Sequence, residues 1–172
     1  MVAAAYVTYG PMLTITLSTG GAVQTFVAVE SGGAYSFEQL QADVRIPDKT
    51  EVFGFGGLRN EWTPPVERFV TSLEERGVKL RYGGTFVGDY NQIVRYGGIF
   101  GYPGLKNKPR GKLRVLYEAA PMAYITWRAH GKASDGSRDI LAIEPMTLAE
   151  TTPLYMGSTQ TVTELERALG GA

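Results

Sequence analysis

The sequence predicts an α/β fold in which a layered sheet is flanked by helices. In its second half, short β-prone runs alternate with amphipathic helical patterns, the order that lays helices onto a sheet. In its first 55 residues, Thr, Val, Ile and Phe cluster in short runs separated by glycine pairs, a hairpin signal. A chain of 172 residues, 44% of them hydrophobic, can bury one core, so a single domain over residues 1–172 is expected.

Taken in order, residues 1–7 (MVAAAYV) read as the tail of a helix with no Ser, Thr, Asp or Asn cap ahead of it, which suggests a start in mid-fold. Residues 12–18 and 22–29 predict a hairpin around Thr19-Gly20-Gly21, where glycine supplies the positive φ that other residues resist. Residues 34–40 and 51–55 predict two more strands. Pro64-Pro65 opens a helix in which Val66, Phe69, Val70 and Leu73 recur at helical spacing, and Gly77 ends it. A short strand over 79–82 and a helix over 87–96 follow. Gly97-Gly98 stops that helix before a strand at 99–102. Residues 113–130 carry a long helical pattern that Pro121 should kink or divide. Residues 139–143 look strand-like, and 161–169 close the chain as an amphipathic helix.

Composition narrows the function. Lysine plus arginine equal aspartate plus glutamate at 17 each, so no overall field favours nucleic acid or an anionic membrane. The absence of cysteine excludes disulfides, thiolate nucleophiles and thiolate metal sites, and suits a cytoplasmic protein. No apolar run approaches the roughly 20 residues of a membrane span, and the apolar opening lacks the basic residues of a secretory leader. Before Arg45 there is no lysine or arginine, and the only acids are Glu30, Glu38 and Asp43. Such a segment is expected to be buried.

Chemistry-bearing residues gather between 79 and 124. Arg81 and Lys112 can neutralise a phosphate, while the hydroxyls of Tyr82 and Tyr102 donate hydrogen bonds without adding charge. Glu118 is a carboxylate of the kind that holds a divalent cation, and Arg114, four residues earlier, shares its helical face. Alone, each of these is an ordinary residue; their joint appearance among glycine turns points to a sugar-phosphate pocket. Lys106, Lys108, Arg110, Lys112 and Arg114 form a basic run, but without interleaved aromatics an anionic sugar phosphate suits it better than nucleic acid. His130 reads as a helix-end residue and Ser134-Asp135-Gly136-Ser137 as a polar turn. There is no nucleophile elbow, P-loop or zinc-binding histidine cluster.

Arg81-Tyr82, Tyr96-Gly97-Gly98-Ile99-Phe100-Gly101-Tyr102-Pro103 and Gly111-Lys112-Leu113-Arg114-Val115-Leu116-Tyr117-Glu118 resemble the C-terminal half of class I fructose-1,6-bisphosphatases. Ala3-Ala4-Ala5-Tyr6, Tyr9-Gly10 and Pro121-Met122-Ala123-Tyr124 extend the likeness over nearly the whole chain. The resemblance implies a gluconeogenic, Mg²⁺-dependent hydrolysis of the 1-phosphate of fructose 1,6-bisphosphate. It further implies that Tyr82 and Tyr102 hold the 6-phosphate, with Lys112 beside the sugar. Arg81 would reach into a neighbouring subunit of a homo-oligomer, and Glu118 would be a metal ligand, with Arg114 pairing with it or touching the transferred phosphate.

The departures matter equally. The family's other metal ligands lie in an N-terminal half that the resemblance does not reach, and Ser134-Asp135-Gly136-Ser137 lacks the second aspartate that the metal motif requires. Where the family places an asparagine and a tyrosine on the 6-phosphate, this chain has Phe55-Gly56-Gly57-Leu58-Arg59-Asn60-Glu61-Trp62, with Arg59 or Asn60 as candidate substitutes. That leaves fructose and sedoheptulose phosphates both open. Asn91 replaces a histidine, while Asp89 remains. Two readings follow: a half-enzyme completed by a partner chain, or a non-catalytic sugar-phosphate sensor or regulatory subunit.

Overall fold

The opening 41 residues build a sheet of their own. In the computed structural model, which describes residues 1–170, β1 (Ala4–Thr8), β2 (Thr14–Ser18), β3 (Gln24–Ser31) and β4 (Ala34–Gln41) lie antiparallel in that order. The expectation of a helix tail at residues 1–7 therefore fails. Pairing of Tyr6 with Thr16 and Thr8 with Thr14 draws the segment into the ladder, and this tertiary contact overrides the helix preference of its alanines.

After β5 (Val52–Phe55), the chain continues through α1 (Pro64–Glu75), β6 (Lys79–Leu80), α2 (Phe86–Tyr96), β7 (Gly98–Tyr102) and β8 (Leu113–Arg114). It then forms α3 (Ala120–Arg128), β9 (Lys132–Ser134), β10 (Thr151–Thr152), β11 (Leu154–Gly157) and α4 (Thr159–Gly170). Five of these strands make a mixed sheet in the order β6-β5-β7-β11-β9, with β5 parallel to both neighbours and β11 antiparallel to both of its own.

Strand alternation sorts the core into two halves. Phe53, Phe55, Ile99 and Tyr155 face α1 and α4, where Val66, Phe69, Val70, Leu73, Val162 and Leu165 meet them. Val52, Phe100, Leu154 and Met156 belong to the other half, with Tyr90 and Ile93 of α2 and Met122, Ala123 and Ile125 of α3. Tyr6 joins this second half from the N-terminal sheet, its ring edge-on to Tyr90 at 5.9 Å. The predicted α/β layering is present, with one addition: α2 and α3 lie between two sheets.

Two local expectations are corrected. Residues 113–130 are not continuous helix: β8 pairs with β10, a π-helical turn spans Val115–Ala119, and α3 starts at Ala120. Pro121 falls in the first turn of α3, where its missing N–H costs nothing, so the division occurs where proline tolerates it. Where a strand is expected at 139–143, Ile140–Ala142 form a 3-10 turn, because the Asp139 carboxylate accepts the Leu141 N–H at 2.8 Å and caps it. The polar turn after Ser134 is present, with Asp135 accepting from the backbone of Ser137 and Arg138.

The weakly charged opening is not wholly buried. Register places Ala5 opposite Leu17, Val7 opposite Ile15, Ile15 opposite Phe26, and Ala28 opposite Phe37. These residues share the face turned away from Tyr6 and the helices, and Phe37 is 49% exposed. One side of the sheet is covered by α2 and α3; the other side is apolar and open. Among the described residues no helix is long and apolar enough to cross a membrane.

Candidate functional site

The connections after β5 and β6 leave the sheet toward opposite faces, since α1 packs on one side and α2 on the other. Diverging connections of this kind open a crevice at the carboxyl ends of parallel strands, the usual ligand position in α/β sheets. Gly56 follows β5, Arg81 and Tyr82 follow β6, and Tyr102 ends β7, so all of them lie at that crevice.

Gly56 is the hinge of the arrangement. A Cβ there would stand 2.7 Å from Tyr102 Cε2 and 2.9 Å from the Tyr82 hydroxyl, so only glycine lets the two tyrosines close over β5. Gly54 is equally constrained, because the backbone carbonyl of Arg81 would be 2.4 Å from a Cβ. Lys112 brings its ammonium to 5.1 Å from the Tyr102 ring centre, a cation–π contact that holds the charge beside the phenol. Partial burial raises the pKa of the Tyr82 phenol, and neighbouring Tyr102 and Asp89 add to the effect. Tyr82 therefore stays protonated at neutral pH and available as a donor.

Asp89 is the residue that sequence reasoning noted without giving a role. It is buried, and its carboxylate accepts the N–H groups of Gly83 at 2.6 Å, Gly84 at 3.0 Å and Thr85 at 3.1 Å. That one side chain fixes the loop behind Tyr82 and the entry to α2. The pattern Gly83-Gly84-Thr85 followed four residues later by an acid was the available signal. Asp89→Asn, which turns N–H groups toward backbone donors, is expected to cost roughly 2 kcal/mol in urea denaturation. It should also erase amide-exchange protection at 83–85; unchanged protection there would refute this role.

Glu118 and Arg114 form a second group. Glu118 sits on the π-helical turn, and its Oε2 accepts the backbone N–H of Arg114 at 2.8 Å and Arg114 Nη1 at 3.4 Å. The pairing predicted from their spacing is present, although the backbone of Arg114 is extended. Arg81 donates from Nη1 to the Leu80 carbonyl at 2.8 Å. Among the described residues no hydrogen bond links the side chain of Arg81 or Asn60 to Tyr82, Tyr102 or Lys112. Asn60 offers its backbone carbonyl to Lys106 Nζ at 2.8 Å, and Arg59 is engaged by Glu74 at 2.7 Å and Thr71 at 2.8 Å on α1.

The donor set does not by itself fit a Mg²⁺ shell. Among the described residues no three Asp, Glu, His or Cys side chains gather as metal ligands, and one oxygen of Glu118 is already occupied by Arg114. A hard cation needs several oxygens together.

Comparison with known proteins identifies the family of the chain. The family described as "Fructose-1-6-bisphosphatase, C-terminal domain" matches residues 46–170. Class 1 fructose-1,6-bisphosphatases of Natronomonas pharaonis and Haloarcula marismortui are 43% and 42% identical. These alignments cover 98% and 96% of this chain and 58% and 55% of those proteins. The crystal structure of Leishmania major fructose-1,6-bisphosphatase in the T-state superposes with a TM-score of 0.91 at 35% identity, over 99% of this chain and 53% of that one. The chain thus spans about half the length of the relatives it matches, and it belongs to the class I fructose-1,6-bisphosphatase family, corresponding to the C-terminal half.

Proposed function

We propose that this chain is the sugar-phosphate clamp of a fructose-1,6-bisphosphatase. The whole enzyme would hydrolyse the 1-phosphate of fructose 1,6-bisphosphate to give fructose 6-phosphate, a step of cytoplasmic carbohydrate metabolism. The observation that carries the reading is the closure of Tyr82 and Tyr102 over Gly56, with Lys112 against Tyr102, at the crevice beside β5 and β6. Two phenol donors and an ammonium suit a phosphate dianion, and the phenols supply hydrogen bonds without further charge. Arg81, exposed at the same strand end, is the side chain this reading assigns to a neighbouring subunit of an oligomer. Asn60 remains a candidate contact through the loop that follows Gly57.

Binding is the direct test. Saturating fructose 6-phosphate should raise the melting temperature, by an amount equivalent to about 2.7 kcal/mol at one hundred times Kd. Lys112→Ala should weaken binding about 10- to 100-fold, as expected for loss of a charged hydrogen bond, and Tyr102→Phe should weaken it less. A wild-type chain whose melting is indifferent to fructose 6-phosphate would end this reading.

The remaining half of the family's length is the partner assigned to the open face of the N-terminal sheet. Contiguous apolar surface of that kind normally marks an interaction site. The isolated chain is therefore expected to bind a hydrophobic dye or self-associate, and Phe26→Glu, which charges the centre of that face, should reduce both. A dye-silent monomer would contradict the assignment. A second reading is a sensor that binds sugar phosphate without hydrolysing it; it predicts fructose 6-phosphate binding with no phosphate release even when the family's N-terminal half is supplied.

A further inference from the structure

We propose that the cleft between the inner face of the N-terminal sheet and α2 is a second binding site, for a small phosphomonoester that carries hydroxyl groups. The cleft has a volume of about 470 Å³, within the range of small-molecule pockets, and shares no lining residue with the clamp at Tyr82, Tyr102 and Lys112.

Its chemistry is asymmetric. β2 and β3 contribute Thr14, Thr16 and Thr25, α2 contributes Asn91, Gln92 and Arg95, and Arg45 enters from the segment after β4. Two guanidinium groups line the cleft and no carboxylate does. Arg45 uses Nε to meet Asp43 at 2.7 Å, which leaves its terminal nitrogens for another acceptor. Arg95 lies over the Tyr96 ring at 5.6 Å, a contact that orients its planar fork. Two guanidinium groups lining one cleft suit a phosphate, whose oxygens accept paired N–H donors.

The floor is hydroxyl- and amide-bearing, and it is held in place. Thr16 Oγ1 and Thr25 Oγ1 are 2.9 Å apart; a hydroxyl offers one donor and two lone pairs, so this pair keeps spare capacity for a ligand. Tyr6 donates to Asn91 Oδ1 at 2.8 Å, and Asn91 Nδ2 donates to Thr8 Oγ1 at 3.1 Å, which fixes the amide's orientation. Such a floor matches a polyol. Its aromatic lining residue, Tyr6, is hydrogen-bonded to Asn91 and packed edge-on against Tyr90 rather than laid open to a base, and the chain's zero net charge gives no general attraction to nucleic acid.

Calorimetric titration of the chain with ribose 5-phosphate, ribose and inorganic phosphate tests the proposal. Ribose 5-phosphate should bind saturably, more tightly than inorganic phosphate, and ribose should give no saturation. The titration is run in Lys112→Ala, which weakens the clamp; saturable binding should persist there, and adding Arg95→Ala should weaken it about tenfold, with Thr14→Val, on the sheet side, weakening it as well. No saturable binding would overturn the proposal. So would binding lost in Lys112→Ala and kept in Arg95→Ala, because that pattern places the ligand in the clamp. Equal affinity for inorganic phosphate and ribose 5-phosphate would refute the hydroxyl-recognising half.

Discussion

Gly98→Ala should cost about 4 kcal/mol or more, a large share of the stability of an ordinary domain. Gly98 opens β7 between β5 and β11 with φ at +132°, and a Cβ would stand 1.7 Å from the Val52 carbonyl oxygen. Neither neighbour can retreat. Its N–H donates to Ser158 Oγ at 2.8 Å and its carbonyl accepts the Ser158 N–H at 2.8 Å, while Ser158 Oγ reaches the Pro47 carbonyl at 2.6 Å. Gly157, on the adjacent strand, is pressed against the Gly98 carbonyl in turn. The control is Gly77→Ala after α1, where φ is +74° but nothing lies within 4 Å of a Cβ. That change carries only the backbone strain, about 1 kcal/mol. Chemical denaturation of the two variants measures the difference; similar midpoints would mean that β7 relaxes around the added methyl.

Gly98 also shows what could be read from the chain and what could not. The pair Gly97-Gly98 marks the end of α2 in the sequence, and the helix does end there, but nothing local says that the second glycine is wedged between two strands. Elements with a strong internal period, such as α1 with Val66, Phe69, Val70 and Leu73, were legible because their own spacing fixes the buried face. The strands Thr151–Thr152 and Leu154–Gly157 were missed. Leu154, Tyr155, Met156 and Gly157 are all buried, so no alternation betrays the strand, and its partners lie far along the chain. At residues 1–7 alanine content pointed to helix, and only pairing with β2 decides otherwise.

The clamp followed the same rule. Tyr82, Tyr102 and Lys112 could be named from the glycine-rich context and the family resemblance, yet the meeting of the two tyrosines depends on the strand order β6-β5-β7, and that of Lys112 with Tyr102 on the path from β7 to β8, neither of which sequence discloses. Arg59 and Asn60 were candidates by position, and Arg59 is instead held by Glu74 and Thr71, because the 3-10 turn before Trp62 directs it to α1. Asp89 was visible as a residue, but its role needs three amides that only the folded loop presents together.

The second large effect is expected at Glu118. On the proposed reading, the chain alone should release no phosphate from fructose 1,6-bisphosphate in Mg²⁺, since one carboxylate cannot hold the ion in a productive shell. Joined to the N-terminal half that its relatives carry, covalently or as a partner chain, it should become active, and Glu118→Ala should then lower phosphate release by at least about a hundredfold. The loss should exceed that of Arg114→Ala. Arg114 presents its backbone N–H as well as its guanidinium to Glu118, and the backbone contact survives the substitution. Fructose 6-phosphate binding, measured separately, should persist in Glu118→Ala, because the clamp residues are untouched. Full activity of Glu118→Ala in the joined enzyme would remove Glu118 from the chemistry. Release by the chain alone that vanishes in Glu118→Ala would mean that carboxylates from a second copy complete the site.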